Sequence, residues 1–176
     1  MQTYRVWTAA SLAAVTVALG PALAANTTQF TGWATLSNEV YGFELSYPVS
    51  VFAGNKGVSR SDGHMLISRD GAARLAVATF ENDSGASLQE YREQLLKQNY
   101  RGADLDYAPL KSQWFVLSGT AGKMEFYERV TFTCGGRLIN SWALLYPASE
   151  SHFYSRVIEA IAPTYLPGAG RGGACR

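Results

Sequence analysis

The chain has 176 residues, a formal net charge of +1, 47% apolar and 12% aromatic residues, and two cysteines. That length and apolar content suit one domain with a real core, and exclude a wholly disordered chain, which needs low hydropathy and high net charge. Fifteen basic residues against fourteen acidic ones leave no surplus to neutralise phosphates, which argues against nucleic acid as a partner.

Residues 1–24 read as a signal peptide. Arg5 supplies the positive charge, residues 6–20 form an apolar run without charge, and Gly20-Pro21 ends any helix. Ala22-Leu23-Ala24 gives the small-x-small pattern before a cleavage between Ala24 and Ala25. The run falls short of the roughly 20 residues that span a bilayer. The expected product is exported, periplasmic or secreted, with no membrane span after signal removal. Residues 25–40 read as a loosely ordered lead-in, residues 41–166 as a single domain, and residues 167–176 as a Gly-rich tail, too flexible to join a core without a tether.

Within the domain, residues 42–47 alternate apolar and polar positions and end at Pro48, as a strand does. Residues 65–68 and 73–80 flank Asp70-Gly71, a hairpin signal expected to need positive φ at both central positions. Ser87 and Glu90 make a capping box, and Leu88, Tyr91 and Leu95 continue it as a helix of about ten residues. Residues 104–111, 113–119, 123–134 and 137–146 read as four more strands, the last three joined as a meander by short Gly-containing turns. A final helix over residues 149–161 carries Phe153, Val157, Ile158 and Ile161 on one stripe and stops at Pro163. Several strands are apolar on both faces, which calls for cover on each side. The class is therefore α+β: an α/β/α sandwich with a central, mainly antiparallel sheet and at least two helices.

The segment Tyr41-Gly42-Phe43-Glu44-Leu45-Ser46-Tyr47-Pro48 resembles the opening strand of PsbP/Mog-like domains. The hairpin, capped helix, meander and final helix follow in a similar order over residues 42–166. Trp114-Phe115-Val116-Leu117-Ser118-Gly119 and Phe126-Tyr127-Glu128-Arg129 are similar to a subset of small exported bacterial proteins with this domain. The resemblance implies a binding or assembly role without catalysis, and it carries no catalytic residue over to this chain.

Several chemical motifs lack their context. Gly168-Ala169-Gly170-Arg171-Gly172-Gly173 fits G-x-G-x-x-G, yet Pro167 precedes it and no helix can follow. Asn82-Asp83-Ser84-Gly85-Ala86 offers a serine without a paired base, and His64 and His152 belong to no motif. Asp104 and Asp106 lack the six or more oxygens of a calcium site. No cofactor or metal is expected.

Glu128 breaks the pattern of its strand. It shares a face with Met124, Phe126, Val130, Phe132 and Cys134, so its carboxyl should point into an apolar layer. Alternatives are a bulge that turns it outward and a pairing with Lys123, Arg129 or Arg137. Cys134 and Cys175 both survive signal removal into an oxidising compartment. Cys134 sits at the expected Gly135-Gly136 hairpin tip and Cys175 ends the tail, so a Cys134–Cys175 disulfide is expected, against a free Cys134 or two independent thiols. The functional expectation is a non-catalytic accessory domain that binds a partner protein or cell-envelope component. The alternative is a small-ligand or hydrolytic site around Glu128 with a neighbouring histidine, such as His64, or tyrosine.

Overall fold

A computed structural model describes residues 30–170 and Cys175, with the side chains of residues 54–56 left aside. The expected signal peptide and its Ala24–Ala25 cleavage lie outside the described residues. Nine strands and two helices follow in the order β1 (Trp33–Ser37), β2 (Glu44–Pro48), β3 (Phe52–Ser59), β4 (Gly63–Ser68), β5 (Arg74–Glu81), α1 (Leu88–Gln98), β6 (Asp104–Tyr107), β7 (Trp114–Ala121), β8 (Met124–Thr133), β9 (Leu138–Pro147) and α2 (Ser151–Ile161). Seven strands make one antiparallel sheet in the order β3-β4-β5-β9-β8-β7-β6, and β1-β2 form a separate ribbon. The α+β class is as expected.

One sheet face carries Leu66, Leu75, Val77, Trp142, Leu144 and Tyr146. It packs on α2 through Tyr154, Val157 and Ile161 and on the ribbon through Phe43, Leu45 and Tyr47. The other face carries Phe115, Leu117, Phe126, Val130 and Ile139, packed on α1 through Leu95. Ser87 caps α1: its hydroxyl accepts from the Glu90 amide, and the Glu90 carboxylate accepts from the Ser87 amide.

Several local expectations change, while helices cover both faces as expected. The lead-in contains β1, because Ala34 and Leu36 alternate inward onto the core while Thr and Ser face out, and β1 pairs with β2 along its whole length. Strand β3 was not expected at all; a register shift between Ala53 and Gly57 interrupts its alternation. At the Asp70-Gly71 turn only Gly71 has positive φ (82°), since the loop is longer than a two-residue hairpin. Helical cover is also uneven: α1 lies against the β7 side of its face, while Met65, Ile67, Ala76, Ala78 and Ala143 belong to neither core cluster.

The described part of the tail packs against the sheet, a placement that the sequence left open beyond calling for a tether. Leu166 exchanges both backbone hydrogen bonds with Glu44, and the Gly170 amide donates to the Tyr41 carbonyl at 3.0 Å. The Gly168 amide donates to Asn140 Oδ1 at 2.6 Å, and the Thr133 hydroxyl donates to the Gly168 carbonyl at 2.5 Å. The expected Cys134–Cys175 disulfide is present, with the Cα atoms 5.0 Å apart. A separation of 41 residues gives about 4 kcal/mol of chain-entropy stabilisation. Cys134, Gly135 and Gly136 all take positive φ, so the hairpin tip is a three-residue left-handed turn in place of the expected two-residue turn.

Gly168 has no room for a side chain: a Cβ there would stand 2.6 Å from the Tyr41 carbonyl oxygen and 3.1 Å from Asn140 Oδ1. Gly168→Ala is expected to cost about 1–3 kcal/mol, read in denaturant unfolding of the oxidised protein. An unchanged midpoint would mean that the tail does not press on the sheet.

Candidate functional site

Glu128 sits in unbroken register between Leu117 on β7 and Ala143 on β9, so no bulge turns it outward. It is only 7% exposed. Its hydrogen-bond partners are hydroxyls, where one alternative had been a lysine or arginine. The Tyr100 phenol donates to Oε2 at 2.5 Å and the Ser141 hydroxyl donates to Oε1 at 2.6 Å. Short bonds of this kind satisfy both oxygens of a buried carboxylate. Tyr100 lies just past the C-terminus of α1, where its amide donates to the Leu95 carbonyl at 3.2 Å. Its ring stacks on Phe126 with centroids 4.1 Å apart.

Burial first, and the Glu128 charge second, hold the Tyr100 phenol far above its ordinary range. The same two causes push Tyr91 up to about 12. Beside Tyr100 a cavity of about 290 Å³ is floored by Ala76, Ala143 and Leu145, with Arg74 and Asn99 among its lining. Across the sheet, Val58, Met65, Ala76, Ala143, Glu128 and Leu117 form a single register row. Glu128 thus marks where the row passes from exposed and half-buried apolar residues, over which no described helix lies, to the part beneath α1.

The structure separates the histidines from Glu128. His64 pairs with Val77, which pairs with Trp142, so His64 faces the α2 side while Glu128 faces the α1 side. His64 Nδ1 is 2.9 Å from the Ser59 hydroxyl, and Nε2 is 3.3 Å from the Ser37 carbonyl. A carbonyl only accepts, so Nε2 donates to Ser37 while Nδ1 shares its hydrogen bond with the Ser59 hydroxyl. His152 is exposed in the first turn of α2. Of the expected Glu128 neighbours only a tyrosine is found.

Ser84 donates to Asn82 Oδ1 at 3.2 Å within a turn. Among the described residues no group of three His, Cys, Asp or Glu is placed to hold a metal, and no helix is long and apolar enough to cross a membrane. Near the disulfide, a second cavity of about 440 Å³ is lined by Tyr41, Glu81, Asp83, Arg137 and Gly170 among others. Arg137 donates to the carbonyls of Cys134 and Cys175, which holds the bridge against the sheet end.

Sequence reasoning missed Tyr100, Ser141 and Asn140. Asn140 carried a usable signal: like Glu128, it is a polar residue on an apolar strand face, and it is fully buried.

No family model and no curated protein matches the chain. Among solved structures it is similar to cyanobacterial PsbP (CyanoP) of Synechocystis sp. PCC 6803. The TM-score is 0.54 at 16% identity, over 84% of this chain and 99% of that one. At that identity the likeness shows a shared fold: the chain is similar in fold to this PsbP protein. A protein of Bacteroides thetaiotaomicron aligns at 14% identity over 71% of this chain and 44% of that one, with a TM-score of 0.41 that carries no argument.

Tyr100→Phe leaves one oxygen of a buried carboxylate without its donor and is expected to destabilise by about 1–3 kcal/mol at neutral pH in denaturant melts. The phenols also set an alkaline limit. Their folded pKa values lie above the ordinary 10, so their contribution is complete below pH 10 and is lost as pH rises through the folded values, about 12 for Tyr91. Tyr100→Phe should therefore lose less stability than the native chain above pH 10; equal losses would contradict the assignment.

Proposed function

We propose that the protein is an exported, non-catalytic accessory domain that binds a partner protein or cell-envelope component on the open half of the α1 face. The observation that carries this reading is the row Val58, Met65, Ala76 and Ala143, which stays apolar across four strands without a helix above it among the described residues. Val58 is 48% exposed at its outer end. Uncovered apolar surface bordered by polar groups is the usual form of an interaction site. Export is supported by the signal pattern of residues 1–24 and by the disulfide, which persists in oxidising compartments. The absence of catalysis is supported by how the titratable groups are used: both oxygens of Glu128 and both nitrogens of His64 are engaged by structural partners.

A second reading draws on the cavity beside Tyr100: a small-ligand site that uses the Tyr100–Glu128 pair. Its hydrolytic form has no histidine on that face to serve as a base.

The mature protein, tagged and incubated with cell-envelope extract, is expected to retain a partner that Ala76→Arg loses while its unfolding midpoint is kept. It is expected to turn over no ester, phosphoester, peptide or glycoside substrate. Turnover abolished by Glu128→Gln, or capture unaffected by Ala76→Arg, would overturn the reading.

A further inference from the structure

Four buried polar atoms without hydrogen-bond partners gather on the sheet face opposite Glu128. They are Arg129 Nε, Thr131 Oγ1, Trp142 Nε1 and the Tyr165 hydroxyl. Arg129 and Trp142 are direct cross-strand partners on β8 and β9, and Thr131 follows Arg129 on the same face. The Tyr165 ring, just beyond the 3-10 turn Ala162–Thr164, lies 6.3 Å from that of Trp142. The Arg129 guanidinium stands over the Trp114 ring at 4.9 Å. Trp142 is 0% exposed and Tyr165 8%, whereas Arg129 and Thr131 are half-buried and form the outer side.

Buried polar groups are normally satisfied, so four in one place indicate something that completes them. We propose that this cluster is a binding site for a small oxyanion, a carboxylate or phosphate group. Guanidinium and indole N–H groups only donate, and burial keeps the Tyr165 phenol protonated and donating. An acceptor-only ligand satisfies all four groups at once. A single water fits less well, because it accepts from at most two of these donors, whereas an oxyanion has lone pairs for all four. The flanking positions on this face, Trp114, Val116, Ser118, Asn140 and Leu144, carry no carboxylate. Glu125, the nearest acid on this face of β8, is four residues away and accepts from Ser151. Arg129 therefore supplies a positive charge within an aromatic surround, the arrangement that favours charge-assisted bonds to an oxyanion. The site is independent of the proposed accessory role, since it lies on the other face of the sheet.

The test is a titration of the oxidised, ¹⁵N-labelled mature protein with sodium acetate and, separately, with inorganic phosphate, at ionic strength held constant with chloride. The assigned Trp142 indole N–H resonance is expected to shift saturably with at least one of them. The arm that saturates at lower concentration identifies the group as carboxylate or phosphate. Tyr165→Phe, which keeps the ring, should weaken binding by about tenfold or more at an unchanged unfolding midpoint. Arg129→Gln should abolish the shift. No saturable shift with either anion, or equal affinity in Tyr165→Phe, would overturn the proposal.

Discussion

A buried side-chain amide has no solvent to satisfy it, and Asn140 is fully buried at the centre of the sheet. Its Oδ1 accepts from the Thr79 hydroxyl at 2.7 Å and from the Gly168 amide at 2.6 Å. Its Nδ2 donates to the Thr131 carbonyl at 3.2 Å and to Thr133 Oγ1 at 2.9 Å. All four of its hydrogen-bonding positions are filled. The partners come from β5, from β8 and from the C-terminal segment, so one residue fixes how the end of the chain crosses the sheet. From that crossing follow the Leu166–Glu44 pairing, the seat of Tyr165 over Trp142 and the approach of Cys175 to Cys134.

Two polar residues on the central strands thus divide the molecule between them. Asn140 faces α2 and organises the ribbon and the tail; Glu128 faces α1 and fastens the end of that helix to the sheet through Tyr100. The α1 side of the core, with Leu95, sits over the β7 and β8 residues of that face, and among the described residues no helix covers the row toward β3. A disulfide alone could hold the C-terminus near Cys134, but it could not specify the register that buries Gly168.

Much of this was legible in the sequence where a signal was local. The Ser87–Glu90 capping box, the Gly71 turn and the β7-β8-β9 meander depend on neighbours in the chain, and the structure has them. Glu128 was also legible, because alternation on β8 fixes its face regardless of partners. What alternation cannot supply is the partner. Tyr100 lies 28 residues upstream beyond a helix, and Ser141 lies across a strand pair. The His64–Glu128 combination failed for a related reason: register parity across β4, β5, β9 and β8 decides the face, and strand order is not written in any one strand. The order of the tail stayed open because glycine marks flexibility in a free segment and close backbone approach in a packed one. Only Asn140, as the acceptor waiting above the sheet, distinguishes the two cases at Gly168.

Asn140, more than the disulfide, seats the C-terminal segment. Native-state hydrogen exchange at the Gly168 amide addresses this directly. Protection of that amide should persist when the Cys134–Cys175 bond is reduced, and should be lost in Asn140→Ala with the bond intact. Protection that disappears on reduction alone, or survives in Asn140→Ala, would contradict the account.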